Sequence, residues 1–315
     1  MPCPTSFDSF PLNSLLKAQR MYEKNPYQLL KFSAAYGRQF RHKIFVIKLS
    51  GDTLTDPKTR RSLCEQIALL WSFSIRIILV HGGGTELDQE CNRLNIPIQK
   101  VAGRRITSPE VLQAAFRVFT EQVQPLVLED FKSFGVTGIG LTGLDGQMIE
   151  AHQRPPMAIK ADGESQEKVI DFGWVGDIDR VNPEFIFDLL NQDQIPVIAP
   201  ITGNRHGDMF NTNADTVASE IACAVKAEKL FFLLSVPGLL RDIQNPSSLI
   251  SQIAFHELDS LETQGVISGG MRPKIQAIKH ALSRGVKAAH LVSGLLPDAL
   301  LTEVFTNEGS GTMML

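Results

Sequence analysis

From residue 44 onward two hydrophobic rhythms alternate along the chain. In residues 44–48, 75–80, 195–198, 230–234 and 288–292 almost every position is apolar, with many β-branched side chains. Between them lie residues 62–71, 110–126, 216–225 and 274–282, where apolar side chains return every three or four positions. A short, continuous apolar run reads as a strand buried on both faces, and the three-to-four period reads as a helix with one apolar stripe. Strand then helix, repeated, predicts βαβ units. The fold class expected is therefore α/β, with a mainly parallel sheet covered by helices on both faces.

Residues 1–43 break the pattern. Lys17, Arg20, Lys24, Lys31, Arg38, Arg41 and Lys43 outnumber Asp8 and Glu23, without the apolar stretch of a secretory signal. Leu12, Leu15, Leu16 and Met21 suggest a short amphipathic helix ending at Asn25-Pro26. The expectation is an arm that packs on a partner subunit of a homo-oligomer. Organelle targeting stays open as the alternative.

Composition narrows the function classes. The chain has 315 residues, 43% hydrophobic and 21% charged, with a net charge of -3. That balance carries no electrostatic footprint for nucleic acid. Cys3, Cys64, Cys91 and Cys223 are scattered with no CxxC, which fits reduced thiols better than a disulfide frame or a zinc site. No apolar run reaches the roughly 18 residues of a membrane span. A cytoplasmic protein with no protein-bound metal is expected.

The chemistry gathers where strands end. Lys48 stands at the end of the first apolar run, followed by Ser50-Gly51, and the second run leads into His81-Gly82-Gly83-Gly84 before a helical stretch. In parallel α/β sheets, ligands bind outside the carboxyl ends of the strands. Consecutive glycines before a helix let backbone N–H groups approach an anion, helped by the partial positive charge of the helix N-terminus. The loop after the second run fits neither GxxxxGK[ST] nor GxGxxG, so phosphate chemistry there needs other machinery. Asn211, Asn213 and Asp215 precede one helix, with Asp215 a natural cap or first-turn residue, while Gly269-Gly270 and Lys274 open another. Thr85 and Asp88 read as a capping pair. GRRIT (103–107) and GLTGLDG (140–146) are loop signatures, and Arg105 is suited to a bidentate grip on a carboxylate.

In that order, Lys48-Leu-Ser-Gly, HGGG, GRRIT, GLTGLDG, NTNAD, VPGLLRD, GGMRPK and VFTNEGSGTM, the motifs resemble the acetylglutamate kinase branch of the amino-acid kinase family. The resemblance runs from about residue 44 to the C-terminus. It implies a three-layer αβα sandwich in two lobes, an acyl-amino-acid lobe (44–227) and a nucleotide lobe (228–315), behind the arm (1–43). It also implies phosphoryl transfer from ATP, with Mg²⁺ carried on the nucleotide, to the γ-carboxylate of N-acetyl-L-glutamate, a step of arginine biosynthesis. Lys48 and Lys274 would flank the migrating phosphoryl group, with Asp215 orienting both. Gly82, Gly83 and Gly84 would close over the γ-carboxylate, and Arg105 and Asn211 would hold the α-carboxylate. Gly51, Ser235 and Gly270 fall on the phosphate and nucleotide side. Tyr27, His290, Glu303 and Gly309 match the inhibitor site of members that bind L-arginine, which assemble as dimers or hexamers.

Four departures stand out. The family usually has Gly-Gly where this chain has Ser50-Gly51, a form shared with the related uridylate kinases. It usually has Gly-Leu-Arg where Arg104 precedes Arg105, and an aspartate where Ser235 precedes the Val-x-Gly. Tyr27 also lies farther from Lys48 than usual. Ser235 keeps a second reading open, a non-catalytic arginine-sensing domain related to acetylglutamate synthase. A kinase for a related acylated amino acid is a third. Lys48, the glycine loop, Asp215 and Lys274 favour the working kinase. His81 is expected to serve structure, because an ionised carboxylate needs no general base.

Overall fold

The computed structural model describes residues 34, 37–159, 167–306 and 309–315. Tyr27 and the amphipathic helix expected within residues 12–21 lie outside the described residues. Strand β1 (Ile44–Leu49) leads through α1 (Gly51–Leu54) and α2 (Pro57–Ser72) to β2 (Arg76–His81) and α3 (Gly84–Arg93). Helix α4 (Pro109–Arg117) continues through a π-helical turn (Val118–Val123) into α5 (Gln124–Ser133) and then β3 (Gly138–Leu141). Next come α6 (Glu184–Asn191), β4 (Ile195–Ile198), α7 (Ala214–Ala224) and β5 (Lys229–Leu234). The chain ends with β6 (Gln252–Ile253), α8 (Leu258–Thr263), α9 (Met271–Ser283), β7 (Ala288–Ser293), α10 (Ala299–Phe305) and β8 (Thr312–Met314).

These eight strands form one sheet in the order β6-β8-β7-β5-β1-β2-β4-β3. Every neighbouring pair is parallel except β7 with β8. The five runs read from the sequence are its central strands. The alternation of side chains along β1 divides the core: Phe45, Ile47 and Leu49 pack with Leu63, Ile67 and Val118 on one face. Val46 packs with Val80, Val217 and Ile221 on the other. Each such side chain contributes roughly 1.5–3 kcal/mol on full burial. Because successive strand residues face opposite ways, Lys48 falls on the Val46 face, beneath α7.

The stretch expected as one helix over 110–126 is helical but not uniform. Pro125, which has no N–H to give, sits just after the widened π turn, and the helix then runs on to Ser133. A second sheet, in the order Met209–Asn211, Ile201–Gly203, Ile149–Gln153, Gly176–Val181, lies off the main one. Two hairpins complete the fold: Lys100–Val101 with Arg104–Arg105, and Met157–Ile159 with Lys168–Ile170. Ala102 and Gly103 turn the first of them, with φ of 48° and 74°. Among the described residues, no helix is long and apolar enough to cross a membrane.

Candidate active site

Lys48, the penultimate residue of β1, carries its ammonium to the carboxyl edge of the sheet while remaining 6% exposed. Its Nζ lies 2.7 Å from Oδ1 of Asp215, and Nζ of Lys274 lies 3.1 Å from Oδ2 of the same carboxylate. One buried aspartate thus holds two ammonium groups that arrive from β1 and α9. Asp215 is free to do so because Asn213 caps α7. The Asn213 Oδ1 accepts from the backbone N–H groups of Asp215 and Thr216 at 2.7 and 3.3 Å. Burial alone would raise the Asp215 pKa, but the two ammonium groups outweigh it and hold the carboxyl below its ordinary value. Burial lowers the Lys48 pKa, opposed by Asp215 and reinforced by Lys274.

Beside the lysines the chain turns through glycine twice. A Cβ on Gly51 would sit 3.3 Å from the amide nitrogen of Gly83 and 3.2 Å from that of Gly84, and a Cβ on Gly82 would sit 3.0 Å from the nitrogen of Gly51. Three backbone amides therefore converge on a space that only absent side chains leave open, the shape of a cradle for phosphoryl oxygens. A Cβ on Gly83 would meet the Phe119 ring at 2.7 Å. The π turn that carries Phe119 is thus the floor of the loop. Helix α3 begins at Gly84 with no side-chain cap. Thr85 and Asp88 do not form the expected capping pair: Thr85 Oγ1 donates to Asp52 at 2.8 Å, and Asp88 faces two cations instead.

Those cations belong to the next wall. Arg105 Nη2 lies 2.7 Å from Asp88 Oδ1 and 3.3 Å from the Gly84 carbonyl oxygen, while Lys100 lies 2.8 Å from Asp88 Oδ2. Burial would raise the Asp88 pKa, but Lys100 and Arg105 hold it below the ordinary value. Nη1 of Arg105 is buried with no protein partner, a donor left for an acceptor from outside the chain. Asn211 donates to Thr107 Oγ1 at 3.2 Å. Gly84, Arg104, Arg105 and Asn211 line a cavity of about 530 Å³ that reaches Gln276 and His280 on α9. Lys48, Asp215 and Lys274 are not in its wall, though Asp215 and Lys274 adjoin the lining residues Thr216 and Pro273 along the chain. Arg104 Nη1 contacts Met157 Sδ at 3.6 Å. Burial and the nearby Arg154 guanidinium lower the Arg104 pKa.

Ser235 follows β5 at the same carboxyl edge and is exposed, and Gly270 opens α9. The Lys274 Nζ lies 3.5 Å from the Gly270 carbonyl oxygen. His290, Glu303 and Gly309 come together elsewhere, beyond β5. His290 Nδ1 lies 2.7 Å from Glu303 Oε1, and Glu303 Oε2 accepts from the N–H groups of Ser310 and Gly311 at 2.7 and 3.0 Å. A Cβ on Gly309 would sit 2.9 Å from Glu303 Oε2. Sequence reading missed one member of this cluster, Lys229, whose Nζ is 3.1 Å from His290 Nε2. An ammonium only donates, so Nε2 accepts and Nδ1–H donates to Glu303, leaving a neutral imidazole between cation and anion. Burial lowers the His290 and Lys229 pKa values. The signal for Lys229 was a lysine opening a strand of otherwise apolar residues. Among the described residues, no group of three or more histidine, cysteine, aspartate or glutamate side chains is placed to hold a metal ion.

Known proteins resemble this chain in sequence and in fold. The Amino acid kinase family matches residues 43–293. An acetylglutamate kinase of Myxococcus xanthus is 51% identical over 290 residues, which is 92% of this chain and 94% of the relative. An acetylglutamate kinase of Methanosarcina acetivorans is 38% identical over 279 residues, 89% of this chain and 93% of the relative. Among solved structures, an N-acetylglutamate synthase of Neisseria gonorrhoeae superposes with a TM-score of 0.77 at 24% identity. The match covers 90% of this chain and 62% of the synthase, so it speaks for the fold of the shared portion. An isopentenyl phosphate kinase superposes with a TM-score of 0.58 at 16% identity, covering 86% of this chain and all of that one. With a family match across most of its length and relatives well above 30% identity, the chain belongs to the amino acid kinase family, on its acetylglutamate kinase branch.

Proposed function

We propose that this protein transfers the γ-phosphoryl group of ATP to the γ-carboxylate of N-acetyl-L-glutamate. A carboxylate oxygen attacks the γ-phosphorus, the bond to the bridging oxygen of ADP breaks, and an acyl phosphate and ADP leave. The nucleophile is already ionised, so the protein needs position and charge rather than a base. One observation carries the reading: Asp215 holds Lys48 and Lys274 beside a cradle of amides from Gly51, Gly83 and Gly84. The two ammonium groups neutralise the equatorial oxygens of the migrating group, and the amides hold the same oxygens as charge builds on them. Gly82 belongs to the loop that closes over the γ-carboxylate. Arg105, with its free Nη1, and Asn211 hold the α-carboxylate in the adjoining cavity. The cradle suits the phosphates of ATP, whose accompanying Mg²⁺ adds charge neutralisation when bound. Ser235 and Gly270 lie on the nucleotide side. Residues 44–227 serve as the acyl-amino-acid lobe and residues 228–315 as the nucleotide lobe.

The test is ADP release by the purified protein with Mg-ATP, with and without N-acetyl-L-glutamate, beside Lys48→Ala. Release that requires the substrate and disappears in the variant supports the reading. Release supported equally by UMP, or no release at all, sinks it.

A second reading concerns regulation. The carboxylate of Glu303, with His290, Gly309 and Lys229 around it, offers an acceptor for a guanidinium, as an L-arginine effector would require. A homo-oligomer, with residues 1–43 on a partner subunit, goes with this proposal. Arginine should inhibit turnover in the wild type and fail to do so in Glu303→Gln. A wild-type titration that stays flat into the millimolar range removes the effector reading and leaves the kinase reading untouched.

A further inference from the structure

His81 closes β2 and the glycine loop begins at the next residue. Its Nδ1 lies 2.8 Å from the carbonyl oxygen of Gly82. A carbonyl only accepts, so Nδ1 carries the proton and Nε2 the lone pair. The ring is wholly buried and stands edge to face with Phe119, centroids 6.4 Å apart. Nε2 meets no protein partner. Burial pushes the His81 pKa down to about 4, so the ring is neutral where the enzyme works.

Peptide planarity turns this bond into a directional device. In a trans peptide the C=O of one residue and the N–H of the next point opposite ways. Fastening the Gly82 carbonyl to His81 aims the Gly83 N–H away from the ring. The amide nitrogens of Gly83 and Gly84 then lie within 3.3 Å of where a Gly51 Cβ would be. A peptide between two glycines has the widest rotational freedom of any in the chain, so its orientation has to come from outside it. Phe119 fixes the loop from below by filling the space next to Gly83, but an aromatic ring cannot choose between the two directions of an amide. His81 can.

We propose that His81 is a positioning residue, whose Nδ1–H bond to the Gly82 carbonyl holds the Gly82–Gly83 peptide in the orientation that presents the Gly83 N–H to the transferred phosphoryl group. This inference rests on the kinase reading above and deepens it. The imidazole keeps its proton throughout and touches neither substrate. Its effect on rate passes entirely through one backbone donor, whose loss at comparable sites costs about 10²–10³ in kcat.

Two isosteric variants separate direction from packing. His81→Asn places an amide N–H near the position of Nδ1, and His81→Gln places its amide near Nε2, leaving the Gly82 carbonyl without a donor. His81→Gln should lose at least about tenfold in kcat, with KM for ATP and N-acetyl-L-glutamate each within about threefold. His81→Asn should retain most of the wild-type kcat. In protein labelled with ¹⁵N-histidine, both His81 and His290 should show a protonated Nδ1 and an unprotonated Nε2, the His81 ring being the one that keeps this signature in His290→Asn. The spectrum decides even if both variants fail to fold. A protonated Nε2 at His81 overturns the proposal, and so do variants that lose activity equally and in step with a lowered Tm. Wild-type turnover is the control: its absence overturns the kinase reading, whereas turnover with undifferentiated variants overturns only the role of His81.

Discussion

Asp215→Asn removes one negative charge and almost no volume, which isolates what that charge does. Opposite unit charges about 4 Å apart attract by about 4 kcal/mol at the effective dielectric of a site near a protein surface. Asp215 makes two such contacts, at 2.7 and 3.1 Å, and part of their gain offsets the burial of all three groups. In the variant, Lys48 faces Lys274 with no anion between them. Leaving a buried charge without its partner costs about 3–5 kcal/mol. Lys48 can instead give up its proton, which from an ordinary lysine pKa costs at most about 4.6 kcal/mol at pH 7. Both routes predict a loss of roughly 3–5 kcal/mol in urea unfolding at pH 7.

The pH dependence has a defined sign. The Asp215 pKa is depressed in the fold, so its stabilisation is fully present above the ordinary carboxylate range, about pH 4, and is lost as pH falls through the folded value. Asp215→Asn should abolish that acid limb. Lys48, with its own pKa lowered by burial, penalises the fold while charged. The deficit of the variant should therefore shrink toward alkaline pH. Turnover should fall about a hundredfold, in line with the loss of other preorganised charges, and recover partly as pH is lowered and Lys48 regains its proton. A variant within about 1 kcal/mol of wild type and within about threefold in kcat would refute the idea that this carboxylate organises the site.

Three further expectations follow from single contacts. Gly83→Ala should be damaging, because its Cβ would lie 2.7 Å from the Phe119 ring, whereas Gly84→Ala meets nothing within 4 Å. Thermal unfolding of the two variants should separate clearly, and equal Tm values would contradict the packing. Arg105→Lys keeps the charge but loses the fork that reaches Asp88 and leaves Nη1 free. KM for the acylated amino acid should rise about tenfold or more, with KM for ATP unchanged. Ser235→Asp puts a carboxylate at the position proposed to face the nucleotide and should tighten ATP binding by calorimetry. An unchanged Kd would show that the serine costs the nucleotide nothing.

The legible parts of this fold were those with a strong local signature. β1 and β5 are apolar on both faces because the sheet buries them on both faces, so their runs stand out in the sequence. The glycine loop was readable for a related reason: three glycines between a strand and a helix have few structural uses. The second sheet was missed. Its strand Gly176–Val181 reads Gly-Asp-Ile-Asp-Arg-Val and buries little beyond Gly176, so neither a continuous run nor a clean alternation marks it. The π turn was equally hidden, since it depends on Pro125 and on how Phe119 meets a loop 36 residues earlier in sequence. The partnership of Lys48 with Asp215 lies across the molecule, and no spacing rule joins them; motif order suggested it, and the geometry brings the three charges together. Lys229 was overlooked because a lysine at the start of a strand ordinarily snorkels to water, whereas here burial and His290 keep it inside.

The single sheet also decides how this molecule can be cut and how it can bend. β1 lies between β2 and β5, and the β1–β5 seam pairs Phe45 with Lys229 through to Leu49 with Leu233. The two halves of the sandwich are therefore welded along a ladder of backbone bonds, not strung on a linker. Any movement of one half against the other has to carry that ladder with it. A fragment ending at residue 227 would turn the most central strand into a bare edge, flat, apolar and ready to pair with its own copies. Such a piece would be expected to clump before it bound any ligand, and neither half should be separable as a working part.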